Sequence, residues 1–250
     1  VSAPVPVPRV AAVIPAKDEA ERIAATVRAA KDVAGVDLVL VVDDGSRDDT
    51  ARLAENAGAI VVSHARPRGK AAAMETGSQA VQAIDAREER TSPRHLLFLD
   101  ADLEDSASAA GELVAPVLDG KVDMTIAVLP STGQGGGHGF VVRLSRDGIA
   151  RATGWQAQAP LSGQRCLTRR ALEAARPLAY GFGVETGLTI DLLRKGFRVE
   201  EVPVDFHHRV TGGDWRGQLH RGKQWLHVAG ALAQRGILLN PRAVIGKGQK

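Results

Sequence analysis

Four short runs of branched aliphatic residues, VAAVI (10–14), LVLVV (38–42), AIVV (59–62) and LLFL (96–99), alternate with alanine-rich stretches of helical character near 19–31, 48–57, 70–84 and 106–118. Strands separated by helices pair in parallel through crossovers, so the alternation predicts an α/β chain: a mostly parallel sheet with helices on both faces. A further run, MTIAVL (124–129), adds a strand. STGQGGGHG (131–139) then breaks the pattern with five glycines in nine residues, a composition that suits a mobile loop beside a site or a plain linker. Beyond it the pattern predicts a helix near 140–152, an apolar patch at 161–167, helices near 168–175 and 185–195, and strands around 197–205. A long, partly amphipathic helical segment at 214–236 closes the series.

The opening VSAPVPVP has proline at 4, 6 and 8, which favours an extended arm over 1–8. With 250 residues, one domain is expected over 9–236, followed by a basic tail at 237–250. Its nucleotide-type half is 9–130, the Gly-rich loop 131–139 and the second half 140–236. At 44% hydrophobic and 24% charged residues the chain is not disordered throughout. No stretch approaches the ~18 consecutive apolar residues that span a bilayer, and no signal-peptide pattern opens the chain. A cytoplasmic location is expected, with peripheral contact at the inner membrane face left open. The single cysteine, Cys166, rules out an internal disulfide or a thiolate metal cage, and in its apolar run it reads as a core residue. Eight Lys or Arg against one acid from His207 to Lys250 concentrate positive charge at the end of the chain. That charge suits either an anionic partner or a solvated helix face.

Ligands of open α/β sheets sit beyond the carboxyl ends of the strands, and there each early run turns polar. The first leads to Pro15, Ala16, Lys17, Asp18 and Glu19, the second to Asp43, Asp44, Gly45 and Ser46, the third to Arg66–Lys70, and the fourth to Asp100, Ala101 and Asp102. Two aspartates at i and i+2 on an extended strand end project to the same side and repel. A divalent cation relieves that repulsion, since Mg²⁺ or Mn²⁺ takes one or two carboxylates plus substrate phosphate oxygens. Aspartate also favours turns and caps, so the pair gains its weight from its place after LLFL. A P-loop is excluded because Gly69-Lys70 has no glycine five residues earlier and is followed by Ala71. The GxGxxG dinucleotide fingerprint is missing because the first strand runs into Pro15.

The segments VIPAKDEAERI (13–23), VVDDGSRDDT (41–50), GKAAAMETG (69–77) and LFLDADLE (97–104) resemble, in order, the nucleotide-sugar glycosyltransferases of family 2 with the GT-A fold. Less specific stretches, PLSGQRCLTR (160–169), GFGVETGL (181–188) and VDFHHR (204–209), are similar to the glucosyl-3-phosphoglycerate synthases and the polyprenyl-phosphate sugar transferases. The resemblance implies a GT-A (Rossmann-like) single domain with an acceptor-side C-terminal half. It implies a hexosyltransferase that moves a sugar from a nucleotide-diphosphate sugar, a UDP-sugar being expected, with Mg²⁺ or Mn²⁺ as cofactor. Pro15, Ala16, Glu19 and Asp44 would hold the nucleoside, Lys70 would lie near base or diphosphate, Asp100 by the ribose and metal, and Asp102 would ligate the metal. His208, the His of a His-Arg pair, would be a second metal ligand. Asp48 reads more simply as helix-start charge, and Asp43 as facing away from Asp44.

Glu185 follows Gly181-Phe182-Gly183 at a helix start, where it is either a dipole partner or a catalytic side chain lining the sugar or acceptor site. Ser162, Gly163, Gln164 and Arg165 would lie near the acceptor, and Arg209, Arg216 and Arg221 suit a clamp on phosphate. The acceptor expected is a phosphorylated or carboxylated metabolite or a lipid phosphate, with nucleic acid not expected and a homodimer left open. A sugar-phosphate nucleotidyltransferase is the nearest rival, although PAKDE poorly replaces its Gly-rich phosphate loop. A binding module without catalysis is the other alternative.

Overall fold

The computed structural model describes residues 9–129, 139–206 and 215–237, with the side chains of 215–223 outside that description. The proline-bearing arm, most of the Gly-rich stretch, His208, Arg209 and the basic tail lie outside the described residues. The element order is β1 (Val10–Ala16), α1 (Ile23–Lys31), β2 (Val36–Asp43), α2 (Thr50–Asn56), β3 (Ile60–Ser63), α3 (Lys70–Arg87), β4 (His95–Phe98), α4 (Gly111–Leu118), β5 (Met124–Val128), α5 (Phe140–Thr153), β6 (Arg165–Leu167), α6 (Arg169–Ala175), α7 (Val184–Arg194), β7 (Val199–Pro203) and α8 (Trp215–Gln234). A 3₁₀ segment, Glu104–Ala110, precedes α4.

Seven strands form one sheet in the order β3-β2-β1-β4-β6-β5-β7. Pairing is parallel except where β6 runs against both β4 and β5. β1 lies between β2 and β4 and is covered on both faces, which is why it reads as an unbroken apolar run. Its period of two splits the core. Val10, Ala12 and Ile14 join Val39, Val41, Leu97 and Cys166 under α1, the 3₁₀ segment and α4. Ala11 and Val13 join Leu40, Val42, Leu96 and Phe98 under α3, α6 and α7. Helix α3 approaches closely because residue 77 is glycine: a Cβ there would collide with Val13 and come within 3.1 Å of Val42 Cγ2. Pro15 is tolerated in this central strand because β4 pairs with β1 only as far as Val13.

Three local expectations differ from the structure. The single helix expected at 106–118 is divided. Ser106 Oγ donates to Leu103 O (2.6 Å) and Ser108 Oγ to Asp105 O (2.8 Å), hydroxyl bonds that compete with the α-helical ladder over 104–110. Within the apolar patch at 161–167 lies β6, three residues long and without readable alternation. One strand, not several, occupies 197–205.

At the amino ends of the strands a charged cluster fastens the layers together. Arg94, just before β4, meets Asp37 of β2 (2.6 Å), Asp85 of α3 (2.6 Å) and Glu88 (2.8 Å), and Arg169 of α6 reaches Asp85 at 3.4 Å. The carboxyl ends of the parallel strands lie at the opposite edge. Strand order reverses between β1 and β4, the switch point where open α/β sheets bind ligands.

Candidate active site

The loops after β1 and β2 are laced together. Asp18 accepts from Arg47 N (2.8 Å) and donates its own N–H to Ser46 Oγ (2.9 Å), while Glu19 N donates to Thr50 Oγ1 (2.8 Å). Asp48 accepts from Thr50 N and Ala20 N, which is the helix-start role expected of it. Asp43 accepts from Ser46 N (3.1 Å) within its own turn. Pro15 and Ala16 close β1, and Ala16 O receives Asp44 N at 2.8 Å. Glu19 grips Arg22 through one oxygen (2.9 and 2.6 Å). Burial raises the Glu19 pKa above the usual carboxylate value; Arg22 opposes the shift, and Asp102 and Asp48 add to it.

Asp44 is buried and well supplied with donors. Arg68 N and Gly69 N donate to its two oxygens at 2.8 Å each, and His64 Nδ1 lies 2.7 Å from Oδ1. Burial alone would raise its pKa, but these hydrogen bonds hold it below the ordinary value. His64 is a residue that sequence reasoning passed over; a lone histidine just after a strand carries no pattern.

Strand β4 stops at Phe98, and residues 101–102 form a turn, so the extended geometry assumed for Asp100 and Asp102 does not hold. Thr26 of α1 fixes that turn, donating to Ala101 O (2.8 Å) and accepting from Glu104 N (2.8 Å). Asp100 addresses Lys70: Nζ lies 2.7 Å from Oδ1, while Gln164 Nε2 donates to Oδ2 at 2.5 Å. Asp102 acts electrostatically on Glu19 and Arg22 instead.

Lys70, the first residue of α3, also lies 3.3 Å from Glu185 Oε1, on a side chain only 6% exposed. Burial lowers the Lys70 pKa, yet Asp100 and Glu185 together hold it well above the usual lysine value. Glycine at 163 permits this meeting, since a Cβ there would collide with Lys70 Nζ and sit 3.0 Å from Asp100 Oδ1. Ser162 donates to Gln164 Oε1 (3.2 Å), completing the support under Asp100.

Arg165 corrects an expectation. It is fully buried, and its guanidinium donates to Ser162 O (2.7 Å), Glu185 O (3.0 Å) and Thr189 Oγ1 (2.8 Å), tying β6 to α7 rather than facing an acceptor. Burial pulls its pKa down to about 10, against the pull of Glu185 and Glu201. Arg216 and Arg221 fall on α8, within the stretch whose side chains lie outside the description.

These groups surround a cleft of about 220 Å³ lined by Lys70, Asp100 and Glu185 on the charged side and by Val141, Leu161, Phe182 and Val228 on the apolar side. Among the described residues no three His, Cys, Asp or Glu side chains are grouped to hold a metal by themselves. Asp100 and Asp102 are hard oxygen donors, and two carboxylates completed by substrate oxygens suit Mg²⁺ or Mn²⁺.

The family model described as Glycosyl transferase family 2 matches residues 11–174. The chain belongs to that family. Glycosyltransferase AglJ of Haloferax volcanii is 32% identical over 208 residues, covering 80% of this chain and 63% of AglJ. The uncharacterized protein MJ1222 of Methanocaldococcus jannaschii is 32% identical over 114 residues, 46% of this chain and 44% of that protein. The family 2 chain thus spans less than two thirds of either relative. Among solved structures, it matches glucosyl-3-phosphoglycerate synthase from Mycobacterium tuberculosis in complex with Mn²⁺, uridine diphosphate and phosphoglyceric acid, with a TM-score of 0.73 at 26% identity, over 94% of this chain and 80% of the other. The same synthase with Mg²⁺ and uridine diphosphate matches with a TM-score of 0.71 at 26% identity, over 94% and 81%. The fold is the GT-A fold expected from the sequence. No helix among the described residues is long and apolar enough to cross a membrane.

Proposed function

We propose that the chain transfers a hexose from a nucleoside diphosphate sugar, the nucleoside being uridine, to an acceptor bearing phosphate or carboxylate, either a metabolite or a lipid phosphate. The observation that carries this reading is the Lys70–Asp100–Glu185 cluster in a cleft just beyond the carboxyl end of β4. Pro15, Ala16 and Glu19 would border the nucleoside, with Asp44 holding the adjoining loop. Lys70, at the start of an 18-residue helix, places an ammonium where a diphosphate gains from both the cation and the helix N-terminus. Asp102 with Asp100 would hold Mg²⁺ or Mn²⁺, and His208 is proposed as a further ligand. When bound, the metal stabilises the charge that collects on the departing nucleoside diphosphate.

In the transfer the bond between the anomeric carbon and the diphosphate oxygen breaks, its electron pair leaves with the diphosphate, and an acceptor oxygen bonds to that carbon. An ionised phosphate or carboxylate acceptor has no proton to lose. For a hydroxyl acceptor Glu185 is the buried carboxylate at the cleft that would receive the proton. Ser162, Gly163 and Gln164, which support Asp100 from just ahead of β6, would also lie near the acceptor, and Arg209, Arg216 and Arg221 would meet the acceptor's phosphate. The synthase that the fold matches was crystallised with phosphoglyceric acid, which supports an anionic acceptor.

The test is calorimetric titration with UDP, GDP and UDP-glucose, each with Mn²⁺ and with EDTA. Binding of UDP and UDP-glucose that needs the metal is the expected result. Absence of binding by all three refutes the donor site, and binding of GDP alone refutes uridine.

A further inference from the structure

The connection from β3 to α3 closes on itself. Its first residue, His64, donates its backbone N–H to Asp43 O (2.9 Å), and its last two, Arg68 and Gly69, donate theirs to Asp44. The His64 ring is the cross-brace. Nδ1 lies 2.7 Å from Asp44 Oδ1 and Nε2 lies 2.9 Å from Thr76 Oγ1, on the second turn of α3. One imidazole therefore joins the end of β2 to the helix, and the carboxylate it orients holds the backbone immediately before Lys70. Gly69, at φ +90°, gives α3 no side-chain cap, and the two residues that lead into the helix, Arg68 and Gly69, are held through their N–H groups by that carboxylate.

We infer that His64 is a positioning residue for Lys70: by bracing Asp44 against Thr76 it fixes the 64–69 connection and the first turn of α3, and so sets where the Lys70 ammonium meets Asp100, Glu185 and the donor diphosphate. This rests on the donor site proposed above. A histidine that merely filled space would matter for stability alone. The geometry separates the two roles, because its two ring nitrogens face different partners and amide side chains can replace them one at a time. Asparagine at 64 carries its amide nitrogen near the Nδ1 position and keeps the bond to Asp44, whereas glutamine reaches toward Nε2 and Thr76.

The experiment compares His64→Asn, His64→Gln and His64→Leu by calorimetry with UDP and Mn²⁺ and by thermal unfolding. A second readout is the ¹H–¹⁵N signal of the Lys70 ammonium in the donor-free protein. All three variants are expected to lose thermal stability. His64→Leu and His64→Gln are expected to bind UDP at least tenfold more weakly and to shift the Lys70 signal, while His64→Asn stays within threefold of the parent with its signal in place. Equal affinities for the asparagine and glutamine variants overturn the inference, as does an unmoved Lys70 signal in either the leucine or the glutamine protein. If His64→Leu does not fold, the asparagine and glutamine pair decides. If the parent binds no nucleotide, the donor-site reading fails, and the Lys70 signal still decides what His64 does.

Discussion

Gly163→Ala isolates the ion pair at the floor of the cleft with the least disturbance elsewhere. The added methyl would collide with Lys70 Nζ and lie 3.0 and 3.2 Å from the two Asp100 oxygens. The atom struck first is the far end of a flexible side chain, so Lys70 swings away and the backbone stays. The cost to folding is therefore small, below the ~1–3 kcal/mol of overpacking a rigid core. The cost to the site is larger. A hydrogen bond to a charged group contributes about 1.5–3 kcal/mol, which corresponds to roughly 10- to 150-fold in affinity. UDP with Mn²⁺ should accordingly bind the variant about 10- to 150-fold more weakly by calorimetry, with the unfolding midpoint in urea nearly unchanged. Parental affinity in a folded Gly163→Ala protein would refute the argument, since it would mean that the Lys70–Asp100 contact contributes nothing to donor binding.

Asp102→Ala should lower turnover at least about a hundredfold, the scale of losing a principal electrostatic stabiliser, as measured by transfer from labelled UDP-sugar; near-normal turnover removes Asp102 from the metal site. Asp85→Ala removes the carboxylate shared by the buried Arg94 and Arg169 but leaves Arg94 with Asp37 and Glu88, and should cost about 1.5–3 kcal/mol in denaturant unfolding, while UDP affinity in the folded fraction stays at the parental value because the cluster lies at the other end of the strands. Asp44 has a depressed pKa in the folded protein, so its contribution is complete above the ordinary carboxylate value near 4 and is lost as pH falls through the folded value. Asp44→Asn should therefore be less stable at neutral pH and lose less stability than the parent on going from pH 5 to pH 2.

How far the sequence discloses this molecule depends on whether a residue's role is local. The first four strands are legible because each is a run of branched residues, and the polar residues closing them mark the carboxyl edge where Glu19, Asp44, Lys70 and Asp100 lie. The Asp100–Asp102 spacing suggests a shared direction, but the turn that follows β4 is set by Thr26, 74 positions before Asp100, and no local pattern announces it. β6 is hidden for the same reason. Its three residues include Arg165, whose charge signals a surface, whereas the carbonyls and hydroxyl that satisfy it come from Pro160, Ser162, Glu185 and Thr189. His64 and Thr76 are twelve residues apart and become partners only when α3 packs on the sheet.

The charges assembled there also account for why donor binding should need a metal. Along the cleft Lys70 faces two carboxylates, Asp100 and Glu185, and beside it Arg22 is set against Glu19 and Asp102. Among the described residues, these groups set two cations against four carboxylates. A diphosphate brought to such a site meets repulsion that one lysine, already shared between two acids, does not offset at the short range of a partly desolvated cleft. A divalent cation held, as proposed, by Asp100 and Asp102 would change the sign of the local balance. UDP affinity should therefore fall at least tenfold when Mn²⁺ is replaced by EDTA, and the loss should shrink in Asp102→Asn, which removes one negative charge. Equal binding with and without the metal would refute this balance and assign the compensating charge to the arginines at 209, 216 and 221.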